Sequence, residues 1–167
     1  YDPEEEILIT VGVSEALDLA MRAILNPGEK ILIPDPFYVA YAPVVELAGG
    51  VPVILPTNLK GEFKITPVQV EKAITKGVKG ILINYPCNPT GASYTKKELE
   101  ALAKVFKKHD LIVLSDEIYD ELTYDFDHTA FPTLSGMKDR TVYLNGFSKA
   151  YAMTGFRIGY ACGPADI

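Results

Sequence analysis

GILINYPCNPTGASYTKKELEALAKVFKKHDLIVLSDE, Gly80–Glu117, contains one whole strand–helix–strand unit. GILIN (Gly80–Asn84) is a short continuous apolar run of the kind that buried parallel strands show. Thr95 then opens a charged amphipathic helix, KKELEALAKVFKKH, and LIVLS (Leu111–Ser115) is a second buried run. The same alternation extends in both directions. Upstream, ILITV (Ile7–Val11), KILIP (Lys30–Pro34) and VPVIL (Val51–Leu55) read as strands. Between the first two, Leu17, Ala20, Met21 and Ile24 recur at helical spacing, with Ser14 as the expected N-cap and Glu15 in the first turn. Asn26–Gly28 stops that helix, and a second one precedes Gly49–Gly50. Thr66 caps a third, with Pro67 at its first position. Downstream, Asp116–Arg140 reads as a short helical turn and a long excursion. VYLNG (Val142–Gly146) is the sixth strand and RIGYACG (Arg157–Gly163) the seventh. Helices alternating with buried strands predict an α/β fold, a mostly parallel sheet covered on both faces.

Composition narrows the function classes. The 167 residues carry 16 basic and 22 acidic side chains, a net charge of −6. That balance argues against broad nucleic-acid or anionic-membrane binding, which needs a basic face. No apolar run approaches a membrane span, and YDPEEEILIT has neither the basic start nor the apolar stretch of a signal peptide. Cys87 and Cys162 are too few for a disulfide framework, so a reduced, cytoplasmic setting is expected. With only His109 and His128, no metal site is expected, and Asp125, Asp127 and His128 read as a solvated loop. The chain starts without methionine and ends directly after an apolar run. Residues 1–167 therefore read as one domain cut from a longer protein.

In such sheets the ligand lies beyond the carboxyl ends of the strands. After the first strand, Gly12, Val13 and Ser14 lead into a helix whose free amides and dipole suit an anion. Taken alone, an ordinary capped turn is the favoured reading there. Phe37 and Tyr38 follow the second strand, either as core or as a ring for stacking. Asn88-Pro89-Thr90-Gly91 follows the fourth; an Asn-Pro turn can hold a cis bond that aims the asparagine amide, or be a plain turn. Asp116, Glu117 and Tyr119 follow the fifth. A carboxylate at the mouth of a buried strand needs a cation or several donors to stay ionised, although Asp116 could simply cap the turn. Ser148 and Lys149 follow the sixth, and Arg157 opens the seventh. A partly desolvated lysine loses proton affinity and becomes an amine nucleophile able to form a Schiff base, and a guanidinium suits a phosphate. A surface lysine and a structural ion pair are the bland alternatives. Together these positions gather an amine, an anion-binding helix end, an arginine, a carboxylate, a phenol, an amide and an aromatic ring. A planar, phosphorylated, pyridine-containing aldehyde would use all of them, and pyridoxal 5'-phosphate is that molecule.

SKAYAMTGFRIGY resembles the lysine signature of the fold-type I, class I/II aminotransferases, and NPTG, SDEIY and TVGVSEAL resemble the other landmarks, in the family's order and at similar spacings. The resemblance covers essentially the whole chain, as most of the large cofactor-binding domain. It implies a three-layer αβα fold with a seven-stranded sheet whose last strand is antiparallel. It implies that Lys149 forms the Schiff base and shuttles the substrate proton, that Asp116 pairs with the pyridine nitrogen, and that Tyr119 and Asn88 bond the ring oxygen. Tyr38 would stack on the ring. Val13 and Ser14 amides with Arg157 would hold the phosphate, as would Ser148; the position three before Lys149, a serine in some relatives, is Gly146 here. The implied partners are an amino acid and a 2-oxo acid, and a second subunit of a homodimer. A carbon–sulfur lyase of the same fold would share every one of these residues. The effector domain of an aminotransferase-like transcriptional regulator would need a basic helix-turn-helix segment outside this chain.

Overall fold

The computed structural model describes residues 1–167. Its strands are β1 (Ile7–Val11), β2 (Lys30–Asp35), β3 (Val51–Pro56), β4 (Val78–Asn84), β5 (Ile112–Asp116), β6 (Thr141–Gly146) and β7 (Ile158–Cys162). The helices are α1 (Gly12–Ile24), α2 (Tyr41–Leu47), α3 (Pro67–Ala73) and α4 (Lys96–Lys108). The strands form one seven-stranded sheet in the order β1-β7-β6-β5-β4-β2-β3. All pairs from β6 to β3 are parallel. β7 runs antiparallel, as expected, but lies inside the sheet between β1 and β6.

The pleat sends successive side chains to opposite faces, and each face has its own core. Leu32, Ile81, Ile83 and Val113 meet Val70 of α3 and Leu99, Leu102 and Phe106 of α4. Ile31, Ile33, Leu82, Leu114 and Leu144 meet Leu17 and Met21 of α1 and Val45 of α2. The three-layer arrangement follows from that division. α3 and α4 begin where the sequence placed them. Thr66 and Thr95 each accept the amide three residues on, and Gln69 and Glu98 reach back to complete capping boxes. No helix is long and apolar enough to cross a membrane.

Several expectations change. β1 was expected to be a buried strand; it is the sheet edge, with Leu8 51% and Ile9 68% exposed and only Thr10 buried. An apolar run is covered only if neighbours exist on its flank and faces, and β1 has no strand on its outer side. Ser14 does not cap α1. The helix starts at Gly12 after Val11 with no side-chain cap, so Ser14 stands in the first turn, while Glu15 Oε2 accepts the Val11 N–H (2.6 Å). Arg157 precedes β7 instead of opening it and has a left-handed φ of 55°. The excursion after β5 holds only 3-10 turns, yet it sends Phe131, Leu134 and Met137 into the core. The Asn88–Pro89 peptide is cis.

One close approach fixes where α1 starts. A Cβ built on Gly159 of β7 would lie 2.5 Å from the Gly12 carbonyl carbon and 2.6 Å from the Val13 nitrogen. The first turn of α1 thus rests on bare β7 backbone, which cannot give way as a flexible side chain would. Gly159→Ala is expected to destabilise the intact protein by about 1–3 kcal/mol through overpacking. Denaturant midpoints of the variant and the parent measure this, and an unchanged midpoint would show that α1 does not depend on the contact.

Candidate active site

β5 ends on Asp116 near the centre of the sheet, and this carboxylate is only 5% exposed. The Tyr41 hydroxyl, from the first turn of α2, donates to Oδ2 at 2.6 Å. The Ile118 N–H donates to Oδ1 at 3.2 Å. No lysine, arginine or histidine forms an ion pair with it. Burial raises its pKa from 3.8 to about 6, against the two hydrogen bonds, which favour the charged form. Asp116 therefore presents a desolvated and uncompensated negative charge to the cavity beside it.

That cavity, about 210 Å³, is lined by all nine residues singled out from the sequence. At its other pole is the N-terminus of α1, where the first-turn amides have no partner within the helix and the dipole favours an anion. The Arg157 guanidinium lies across this helix end, against Gly12. A Cβ at Gly12, where φ is +72°, would overlap Nη2, so glycine lets the charge reach the amides. Arg157 Nη1 donates to the Thr154 carbonyl (3.0 Å), which leaves donors free to face an anion. Val13 and Ser14 stand in this first turn, and Ser148 borders it from the β6 side.

Between the poles stand the amine, the phenol and the amide. Lys149 is exposed, contrary to the partial desolvation expected of it, because its loop sits at the open end of the sheet. Its Nζ is 5.8 Å from the centroid of the Tyr119 ring. The Tyr119 phenol is raised above its ordinary value by burial first and by the Asp116 charge next, while Asn88 lowers it. Tyr38 is half-exposed and meets Tyr41 edge-on, with centroids 5.6 Å apart at 80°.

A sequence model of the family described as aminotransferase class I and II matches residues 1–167. The chain belongs to that family. It is 54% identical over 165 residues to a putative aminotransferase, YugH, of Bacillus subtilis (strain 168), covering 99% of this chain and 43% of that protein. It is 46% identical over 167 residues to an aspartate aminotransferase of Pyrococcus abyssi, covering 99% of this chain and 43% of the relative. Among solved structures, an aromatic aminotransferase from Pyrococcus horikoshii OT3 superposes with a TM-score of 0.96 at 45% identity, over 99% of this chain and 44% of the other. The chain thus spans less than half the length of the relatives it matches.

Sequence reasoning missed two supports of this family member's site. Tyr41 was read only as part of a helix; a hydroxyl placed at i+3 from Tyr38, where a buried phenol needs a partner, was the available signal. Asn84, the polar end of an apolar strand, donates from Nδ2 to the Asp116 carbonyl (2.9 Å) and accepts the Asn88 N–H on Oδ1 (2.8 Å). It ties the Asp116 and Asn88 segments together. The expected solvated loop at Asp125–His128 is also corrected in part. His128 folds back onto the fully buried Glu117, with Nε2 2.5 Å from Oε2, and stacks on Tyr85.

Because Asp116 has a higher pKa folded than unfolded, its effect on stability is most favourable below about pH 4 and is lost as pH rises through about 6. The loss amounts to about 3 kcal/mol at neutral pH. In the ligand-free protein, Asp116→Asn is expected to match the parent near pH 4 and to exceed it in stability by up to that amount near pH 7. Denaturant midpoints across this range provide the check. A difference that does not vary with pH would show that the carboxylate is not desolvated.

Proposed function

We propose that the intact protein is a pyridoxal-phosphate-dependent aminotransferase, transferring an amino group from an L-amino acid to a 2-oxo acid. The observation that carries this reading is the unpaired, buried Asp116 sharing one cavity with Lys149 and with the α1 terminus under Arg157. The donor set fits the cofactor at each end: a carboxylate for a protonated pyridine nitrogen, an amine for an aldehyde, and helix amides with a guanidinium for a phosphate. When bound, pyridoxal phosphate supplies an electron sink for the pair left at the substrate Cα.

The chain's own residues supply the rest. Asp116, with a pKa near 6, is largely ionised at neutral pH and would keep a pyridine nitrogen bound beside it protonated. Tyr41 and the Ile118 N–H keep that carboxylate oriented. The Tyr119 phenol, whose proton burial and the Asp116 charge hold more firmly, and the Asn88 amide would offer hydrogen bonds to a ring oxygen. Tyr38 would offer its aromatic face to the ring. Arg157, the α1 amides at Val13 and Ser14, and the Ser148 hydroxyl would bind the phosphate through charge-assisted bonds, which are about twice as strong as neutral ones. Lys149 has the flexible stem and amine that would hold an aldehyde covalently and, as a free amine, would take the substrate Cα proton and return it.

In the full-length enzyme, Lys149→Ala should abolish the borohydride-trappable link to the cofactor; a covalent adduct still found in that variant would overturn the assignment. Removing one partner of a buried ion pair costs roughly 3–5 kcal/mol. If half of that falls on the transition state, Asp116→Ala slows turnover by about one to two decades, and near-normal turnover would contradict its role. Relatives named for aspartate and for aromatic amino acids make a panel of amino donors the direct test of substrate. Formation of a 2-oxo acid supports transamination, whereas ammonia and thiol from a sulfur-containing donor would identify a lyase.

A further inference from the structure

The Tyr119 turn and the Lys149 loop leave neighbouring parallel strands. Backbone pairing between β5 and β6 ends at Asp116 opposite Leu144, with the Glu117 N–H on the Leu144 carbonyl (2.9 Å) as the last rung. Beyond that rung a single side-chain cluster joins the two segments. Asn145 Nδ2 donates to Asp120 Oδ2 at 2.7 Å and to the Tyr143 hydroxyl oxygen at 2.6 Å. The Tyr143 hydroxyl in turn donates to the same Asp120 oxygen at 3.3 Å. Asn145 Oδ1 accepts the Gly146 N–H (2.6 Å), so both ends of the amide are engaged in a residue only 3% exposed.

Asp120 directly follows Tyr119 and starts the 3-10 turn Asp120–Leu122. Asn145 is the penultimate residue of β6, just before the loop that carries Lys149, whose carbonyl accepts the Ala152 N–H. We infer that Asp120 and Asn145 form a positioning pair that sets the Tyr119 phenol against the Lys149 amine. This rests on the roles proposed above for those two residues. Neither member of the pair lines the cavity, so both act through the segments they hold. The bond is charge-assisted and mostly shielded, which makes it strong enough to fix one geometry. A displacement of about 1 Å between reacting groups can cost up to about a hundredfold in rate.

The test uses the full-length enzyme and three variants. Asn145→Asp places two carboxylates in contact; Asp120→Ala removes the acceptor and serves if the first variant fails to fold. Asp120→Asn combined with Asn145→Asp restores an amide–carboxylate pair with its direction reversed, and Tyr143 and the Gly146 N–H still find acceptors. Each single variant should lower kcat by about ten- to a hundredfold with KM little changed. In cofactor-free enzyme, acylation of Lys149 measured by mass spectrometry against the exposed Lys60 should shift in both singles, and the double exchange should restore both readouts. If the singles lower only the melting temperature, with Lys149 acylation and kcat unchanged, the pair is structural and the inference is overturned. Failure of the double exchange to restore either readout also overturns it. Failure of the underlying aminotransferase reading looks different, because the parent enzyme would then give no borohydride-trapped adduct at Lys149. The acylation readout needs no cofactor.

Discussion

The burial of one uncompensated carboxylate is the constraint around which this molecule is arranged. Asp116 sits at the end of β5, with a strand on either side and helices over both faces. A lone ion in such a place would ordinarily neutralise or pair. Here two donors hold its oxygens without cancelling the charge, so that even with its pKa raised to about 6 it is largely ionised at neutral pH. The folded state bears a cost there that a cationic ligand group would relieve. Stability and ligand affinity are therefore linked through the same side chain.

The opposite pole depends on strand direction. Parallel strands deliver their carboxyl ends to one edge of the sheet, which accounts for the residues after β2, β4, β5 and β6. Arg157 precedes its strand, and it reaches the same edge only because β7 runs antiparallel. The β1–β7 pairing also returns the chain from β1 directly into α1 above Gly159. Glycines at 12 and 159 let backbone, helix terminus and guanidinium share a space that side chains would fill. One reversed strand thus puts positive potential across the cavity from the buried carboxylate.

How much of this was legible depended on how local each signal was. The central strands, the Thr66 and Thr95 caps and the nine cavity residues could be read because each follows from a run of neighbours in sequence. The edge position of β1 could not, since ILITV carries the same local pattern as a central strand and differs only in having β7 alone beside it. Tyr41 and Asn84 act through partners 75 and 32 residues away, which no periodicity reports. The exposure of Lys149 was likewise hidden, because the loop's small and apolar residues suggested burial while its place at the sheet's open end determines the outcome.

The adjacent carboxylates Asp116 and Glu117 show why residue type alone does not assign a role. Leaving the strand they diverge, and each meets a different surrounding. Glu117 is fully buried and satisfied by the Ser115 hydroxyl (2.6 Å), the Tyr85 hydroxyl (3.1 Å), the Phe131 N–H (2.9 Å) and His128 (2.5 Å). With that many partners it has little left to offer a ligand, and it serves to pin the 128–131 segment to the sheet. Asp116 receives fewer bonds and opens onto the cavity. What separates a structural acid from a candidate catalytic one is the number of donors the fold withholds, and in the SDEIY stretch that number differs between two consecutive residues.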